Sequence, residues 1–129
     1  MNYQFSFRGR PIIAMAISQE EIQTLTGDAG CMGLFKTPDE PLLGEWSKFN
    51  GYAFIMLDKD RLSVPLIRHE VMHMALWSNM IKTADTLDVH ALEEIMCETF
   101  AWFGDGLVEL SDLIYKELTK KPKTRKRRK

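Results

Sequence analysis

The order of apolar patterns along the chain restricts its fold more than any other feature of the sequence. Alternating or continuous runs of β-prone apolar residues occupy the part up to Asp58, and patterns with a helical period dominate after Ser63. The strand-like segments read YQFSFR, PIIAMAIS, CMGLFKT and YAFIMLD. Because strands come first and helices follow, the sequence predicts an α+β domain with a small N-terminal sheet packed on helices.

Turn and capping residues place the first connections. Gly9 separates the first two strand-like segments, which indicates one interrupted strand or a hairpin. The segment SQEEIQTLTG predicts a short helix, because Ser18 is a suitable N-cap, Glu21 occupies the capping-box position and Gly27 can end the helix.

The second half of the sequence predicts three further helices. Ser63, with Pro65 in the first turn, begins the segment VPLIRHEVMHMALWSNMI. A linker, KTADTL, leads to Asp88 as the N-cap of VHALEEIMCETFAWF. Gly104 and Gly106 then interrupt that helix, and LVELSDLIYKEL forms a last amphipathic one. We therefore expect two helices after the one that begins near Ser63.

The charge distribution divides the chain into a body and a tail. The formal net charge is −1, yet the C-terminal segment KKPKTRKRRK holds eight basic residues and no acidic one. We expect a single domain over residues 1–118 and a disordered basic tail over residues 119–129. The segment Lys120–Lys129 could tether the protein to nucleic acid, because clustered cations release counterions from phosphates. It could also simply be solvated, or contact the acidic body.

Apolar run lengths and cysteine spacing bear on the location of the protein. The longest apolar runs, such as PIIAMAI, are far shorter than the roughly 20 residues that span a bilayer. We therefore expect no membrane association and a cytoplasmic protein. Cys31 and Cys97 show no CxxC spacing, and in a reducing compartment this favours two buried thiols over a disulfide.

The segment LIRHEVMHMALW carries two of the three histidines, four residues apart, with a glutamate beside the first. On a helix this spacing puts both side chains on one face, with Cβ atoms about 5–6 Å apart. His69 and His73 can then offer two imidazole nitrogens to one ion, while Glu70 reaches a water on that ion. This HExxH arrangement predicts a zinc site with Glu70 as the general base. The alternative is a histidine pair that binds no metal.

A catalytic zinc typically has three protein ligands, and the segment DVHALEEIMCETFAWF offers candidates for the third. His90, Glu94 and Glu98 are spaced by four and share one face of the predicted helix. Such a face can also be merely solvated. Here it is flanked by Cys97 and Ala101, whose small apolar side chains argue for burial.

The segments RHEVMHMALW and ETFAWF together resemble the gluzincin metallopeptidases, and in particular the short zinc metallopeptidases encoded by tailed phages and prophages. The resemblance extends over about residues 30–118. It implies a minimal zincin-like fold, in which a small sheet packs on the HExxH helix and two further helices follow. It also implies that His69, His73 and Glu98 bind Zn²⁺ and that Glu70 is the base.

Two points within this resemblance stay open. The ImmA/IrrE-like peptidases provide a competing alignment in which Glu94 is the third ligand; otherwise Glu94 would hydrogen-bond a ligand histidine. His90 is a candidate for stabilising the oxyanion or a plain surface residue. The fold further implies that an extended peptide adds to an edge strand, for which we predict residues 52–57.

Three classes of function follow from these residues. The first is a zinc-dependent metalloendopeptidase-like hydrolase, phage or prophage encoded. So short a chain leaves only shallow pockets, which suggests either one dedicated protein target or a partner chain that completes the cleft. The second is a zinc-stabilised zincin-fold protein that hydrolyses nothing and serves binding or assembly. The third is a nucleic-acid-associated protein whose activity lies in its basic tail.

Overall fold

Four strands form one mixed sheet in the computed structural model, which describes residues 2–27, 30–38, 44–78 and 89–120. The spatial order is β1-β2-β4-β3, with antiparallel outer pairs and a parallel central pair. The strands are β1 (Asn2–Phe7), β2 (Arg10–Ile17), β3 (Gly33–Lys36) and β4 (Ala53–Asp58). The helices are α1 (Gln19–Thr26), α2 (Val64–Ser78) and α3 (Val89–Leu118), with a 3-10 helix at Gly44–Phe49. The predicted α+β class is confirmed.

The predicted break at Gly9 is a tight hairpin turn between β1 and β2. Arg8 and Gly9 have φ values of 52° and 78°, so both turn residues adopt the left-handed conformation. Two such residues make the two-residue turn whose twist matches that of the flanking strands. Glycine at the second position therefore fixes the register, in which Phe7 lies opposite Arg10.

Helix α1 begins and ends where its capping residues predict. The Glu21 N–H donates to Ser18 Oγ at 3.1 Å, and the Ser18 N–H donates back to Glu21 Oε1 at 3.5 Å. Gly27, with φ 81°, ends the helix and donates its N–H to the Gln23 carbonyl at 2.7 Å. Ile22 is the buried residue of the helix and packs against one face of the sheet.

Helices cover the sheet on both sides, so its two central strands are apolar except at Arg10, which begins β2, and Asp58, which ends β4. Helix α1 covers one face, over side chains such as Ile13 and Met56. Helices α2 and α3 cover the other face, over Ile12 and Ile55. Helix α2 packs on β3 and β4, while α3 packs on β1 and β2 and alongside α2. This arrangement places the HExxH segment beside the β3 edge of the sheet.

The expectation of two helices after α2 is wrong, because α3 runs unbroken through Gly104 and Gly106. Each glycine costs a helix only about 1 kcal/mol relative to alanine. The buried side of α3 continues across both positions, from Thr99 to Leu107 and Ile114. Packing along this stripe outweighs the two local penalties.

Several predictions fall on residues outside those described. They include the linker at residues 82–87, the N-cap Asp88 and most of the basic tail, residues 121–129.

Within the described residues, no helix combines the length and apolar character needed to cross a membrane.

Candidate metal centre

Helix α2 begins at the residues that the sequence indicated. The Leu66 N–H donates to Ser63 Oγ at 3.3 Å, so Ser63 caps the helix. Pro65 lies in the first turn, where its missing N–H costs nothing. The HExxH residues therefore lie in the middle of a regular 15-residue helix.

His69 and His73 lie side by side on one face of α2. Their Nε2 atoms are 3.3 Å apart and their rings are nearly perpendicular, at 78°. Two nitrogens bound to one tetrahedral zinc at about 2.0–2.1 Å lie about 3.3–3.4 Å from each other. The observed separation equals that value, and it also suits a hydrogen bond between the two rings. Both side chains are exposed, so an ion can reach them.

Glu70 lies beside this pair in a buried position. The residue is 3% exposed, and a carboxylate oxygen lies within 4.8 Å of a ring nitrogen of each histidine. Desolvation raises the pKa of the Glu70 carboxyl above its ordinary value, against the opposing effect of charge on His69. A carboxylate with a raised pKa is a stronger base, as proton abstraction from water requires.

Desolvation also lowers the pKa of His73, and charge on His69 lowers it further. The neutral imidazole is therefore favoured at His73, which is the protonation state that binds a metal.

Strand β3 faces this cluster across a cleft. Gly33, His69 and Glu70 line two adjoining cavities of about 440 and 430 Å³. The first continues between Met32 and Leu66. The second continues along β3 toward the aromatic side chains of Phe35 and Trp77. The cleft therefore extends to both sides of the histidine pair.

An aromatic wall borders the second cavity. Phe35 on β3 and Trp77 on α2 have ring centroids 5.5 Å apart, and the Arg10 guanidinium lies 4.6 Å from the Trp77 ring. Trp77 follows His73 by four residues, so the helical spacing itself indicated that it shares the face of the histidines. Trp77 is not among the site residues predicted from sequence.

The edge strand beside the cluster is β3, and the prediction of residues 52–57 is wrong. Strand β4 pairs with β2 on one side and with β3 on the other, so it has no free edge. All six of its residues are buried. Strand β3 pairs with β4 alone among the described strands, and its outer edge borders the cleft.

The predicted third ligand does not join the two histidines in this structure. Within the described residues, the cluster of metal-binding side chains comprises His69, Glu70 and His73, while Glu94 and Glu98 are exposed on α3. Glu98 would have to move toward the histidines to bind the same ion, and its role stays a prediction.

The flanking residues of that helix also differ from expectation. Cys97 and Ala101 are exposed, so the face carrying Glu94 and Glu98 is open to solvent in the described residues. Cys97 is therefore not a buried thiol, and Cys31 is half-buried. His90 is exposed in the first turn of α3 and lies outside the histidine cluster. These differences arise because α3 turns other residues, such as Thr99 and Leu107, toward the core.

The side chains of His69, Glu70 and His73 form a donor set that fits zinc. Imidazole nitrogens and carboxylate oxygens are ordinary zinc ligands, and the two nitrogens have the spacing that a shared tetrahedral ion needs.

No protein-family model, curated protein or solved structure matches this chain.

Proposed function

We propose that the protein is a zinc-dependent metallopeptidase of minimal zincin type. The observation that supports this most is the 3.3 Å separation of two Nε2 atoms beside a buried glutamate on the same helix. His69 and His73 would hold the ion, and a carboxylate from α3 would complete the ligand set. We propose Glu98 for that position, with Glu94 as the alternative.

Glu70 would act as the general base. Zinc supplies the Lewis acidity that makes water easier to deprotonate and a peptide carbonyl easier to attack. The Glu70 carboxylate accepts the proton of the attacking water and passes it to the departing amine. Its raised pKa suits both halves of this transfer, since the group must first gain and then release the proton.

The substrate would be an extended peptide that pairs with β3. In the described sheet β3 is an outer strand, and its main-chain groups on the side away from β4 would serve strand addition. Because cavities lie on both sides of Gly33 and the histidines, residues before and after the cleaved bond can be accommodated. This supports an endopeptidase rather than an enzyme that removes terminal residues. The shallow cleft also favours one dedicated protein target, which we propose to be a phage or host protein.

Metal analysis with peptide cleavage tests the proposal. Wild-type protein should bind about one zinc per chain, and His69→Ala and His73→Ala should lose it. Glu98→Ala should weaken zinc binding if Glu98 is the third ligand, and Glu94→Ala should do so if the alternative holds. A wild-type protein that takes up no zinc would contradict the proposal.

Glu70→Gln separates this function from a zinc-stabilised binding protein. It should retain zinc while losing hydrolysis of a peptide library. Retention of hydrolysis would exclude Glu70 as the base, and loss of zinc would make Glu70 a ligand instead.

A further inference from the structure

We propose that Gly33 is a positioning residue for Glu70. The missing side chain at this point of β3 leaves room for the Glu70 carboxylate to lie beside His69 and His73. The consequence for catalysis rests on the proposed function, but the contact between the two positions does not.

Packing, and not backbone conformation, requires glycine at position 33. Gly33 is not among the glycines with positive φ, so its backbone accepts any L residue. A Cβ atom built on Gly33 would lie 3.2 Å from three atoms: Glu70 Oε2, Leu57 Cδ2 and Leu66 Cδ1. Contacts this short force at least one neighbour to move, because side chains in a core are already close-packed.

Of these three neighbours, the Glu70 carboxylate is the one whose displacement would alter the site. Leu57 is fully buried at the centre of the sheet, and Leu66 is half-buried against the same core and lines one cavity. Glu70 lines both cavities of the cleft, so its carboxylate adjoins open space. A methyl group at position 33 would therefore push this carboxylate by a few tenths of an ångström into the cleft.

Such a displacement would separate Glu70 from the water that it must deprotonate. Misplacement of a catalytic group by about 1 Å can cost a hundredfold in rate. For the smaller movement expected here we infer a decrease in kcat of about tenfold. Substrate pairing with the backbone of β3 needs no side chain at position 33, so KM should change little.

The contact is tested first by a double-mutant cycle on the metal-free protein. Urea unfolding is measured for wild type, Gly33→Ala, Glu70→Ala and the double variant. The Gly33→Ala substitution should lower the unfolding midpoint in the presence of Glu70 and lower it less, or raise it, in the Glu70→Ala background. An equal decrease in both backgrounds would overturn the proposal, because the leucines would then be responsible.

Two further cycles keep this test decisive. Glu70→Asp shortens the side chain by one methylene and replaces Glu70→Ala if the latter does not fold. A cycle of Gly33→Ala with Leu66→Ala measures the leucine contact separately. Coupling larger with Leu66 than with position 70 would also overturn the proposal.

The catalytic consequence is tested with Gly33→Ala and a matched control, Gly106→Ala. A Cβ atom on Gly106 meets nothing within 4 Å, and this residue lies on the exposed side of α3. Gly33→Ala should keep about one zinc per chain and a KM within about twofold, with kcat reduced about tenfold. Gly106→Ala should change none of the three.

A kcat of Gly33→Ala equal to that of wild type would overturn the positioning role. If wild-type protein cleaves no peptide, the proposed function fails, and the unfolding cycle still decides whether Gly33 makes room for Glu70.

Discussion

Added Zn²⁺ should raise the melting temperature of this protein through His69 and His73. Their Nε2 atoms already lie 3.3 Å apart, so α2 need not rearrange to bind the ion. A ligand that binds only the folded state stabilises that state by about 2.7 kcal/mol when its free concentration is 100 times its Kd. The unfolding entropy is about 2.1 cal/mol/K per residue, so the total for 129 residues is about 0.27 kcal/mol/K. The melting temperature should therefore rise by about 10 °C.

The assay is thermal unfolding during a zinc titration, after treatment with a chelator that is then removed. His73→Ala should abolish the zinc-dependent rise. His90→Ala is the matched control, because His90 is exposed on α3 and lies outside the histidine cluster. A wild-type melting temperature that does not respond to zinc, or a full response in His73→Ala, would refute the reasoning.

The same titration has a predicted pH dependence. Protons compete with zinc for the imidazole nitrogens, so acid should remove the zinc response. Because the pKa of His73 lies below its ordinary value, protonation at this position requires a lower pH than for an unperturbed imidazole. Without zinc, the folded state binds fewer protons at His73 than the unfolded state does. The contribution of His73 to stability should therefore be present above its unfolded pKa and fall as pH drops through the folded value.

Further predictions concern Glu70, the two glycines of α3 and the C-terminal basic segment. Glu70→Gln should lower turnover at least about a hundredfold with zinc retained. In urea unfolding without zinc, it should also abolish the loss of stability that wild type shows as pH rises through the raised pKa of the Glu70 carboxyl, because the amide does not ionise. Gly106→Ala should raise the free energy of unfolding by about 0.5–1 kcal/mol. Gly104→Ala should gain less, because its Cβ would lie 3.3 Å from the Phe100 ring. Deletion of Lys120–Lys129 should lower the affinity for DNA, measured by fluorescence anisotropy, and should reduce the salt dependence of that affinity. An unchanged affinity would exclude the basic tail as a tether to nucleic acid.

The elements that sequence predicted well are those fixed by local chemistry. The hairpin at Gly9, the capping box of Ser18 and Glu21, and the start of α2 at Ser63 each depend on residues within one turn. The HExxH pair belongs to the same group, because helical spacing alone brings His73 beside His69.

The elements that sequence predicted poorly depend on contacts between distant segments. The edge position of β3 follows from parallel pairing of β4 with β2, which no turn between them specifies. A signal was present, since AFIML is apolar at every position, as expected of a strand covered on both faces. The continuity of α3 and the exposure of Glu98 likewise depend on how that helix packs. Nothing in the sequence marks Gly33 as different from the other glycines, because its constraint comes from Glu70, Leu57 and Leu66.

The parallel pairing of β2 with β4 has a consequence for the chain as it leaves the ribosome. The β1–β2 hairpin emerges first, and the second edge of β2 stays without a partner until residues 53–58 appear. At about 5–20 residues per second, synthesis of the 35 residues between Ile17 and Ala53 takes roughly 2–7 s. During this interval Ile12, fully buried in the finished protein, also lacks the later helices α2 and α3 that cover its face of the sheet, so it is open to water and to other nascent chains. Overexpression should therefore increase inclusion-body formation, and codons that speed translation between β2 and β4 should reduce it.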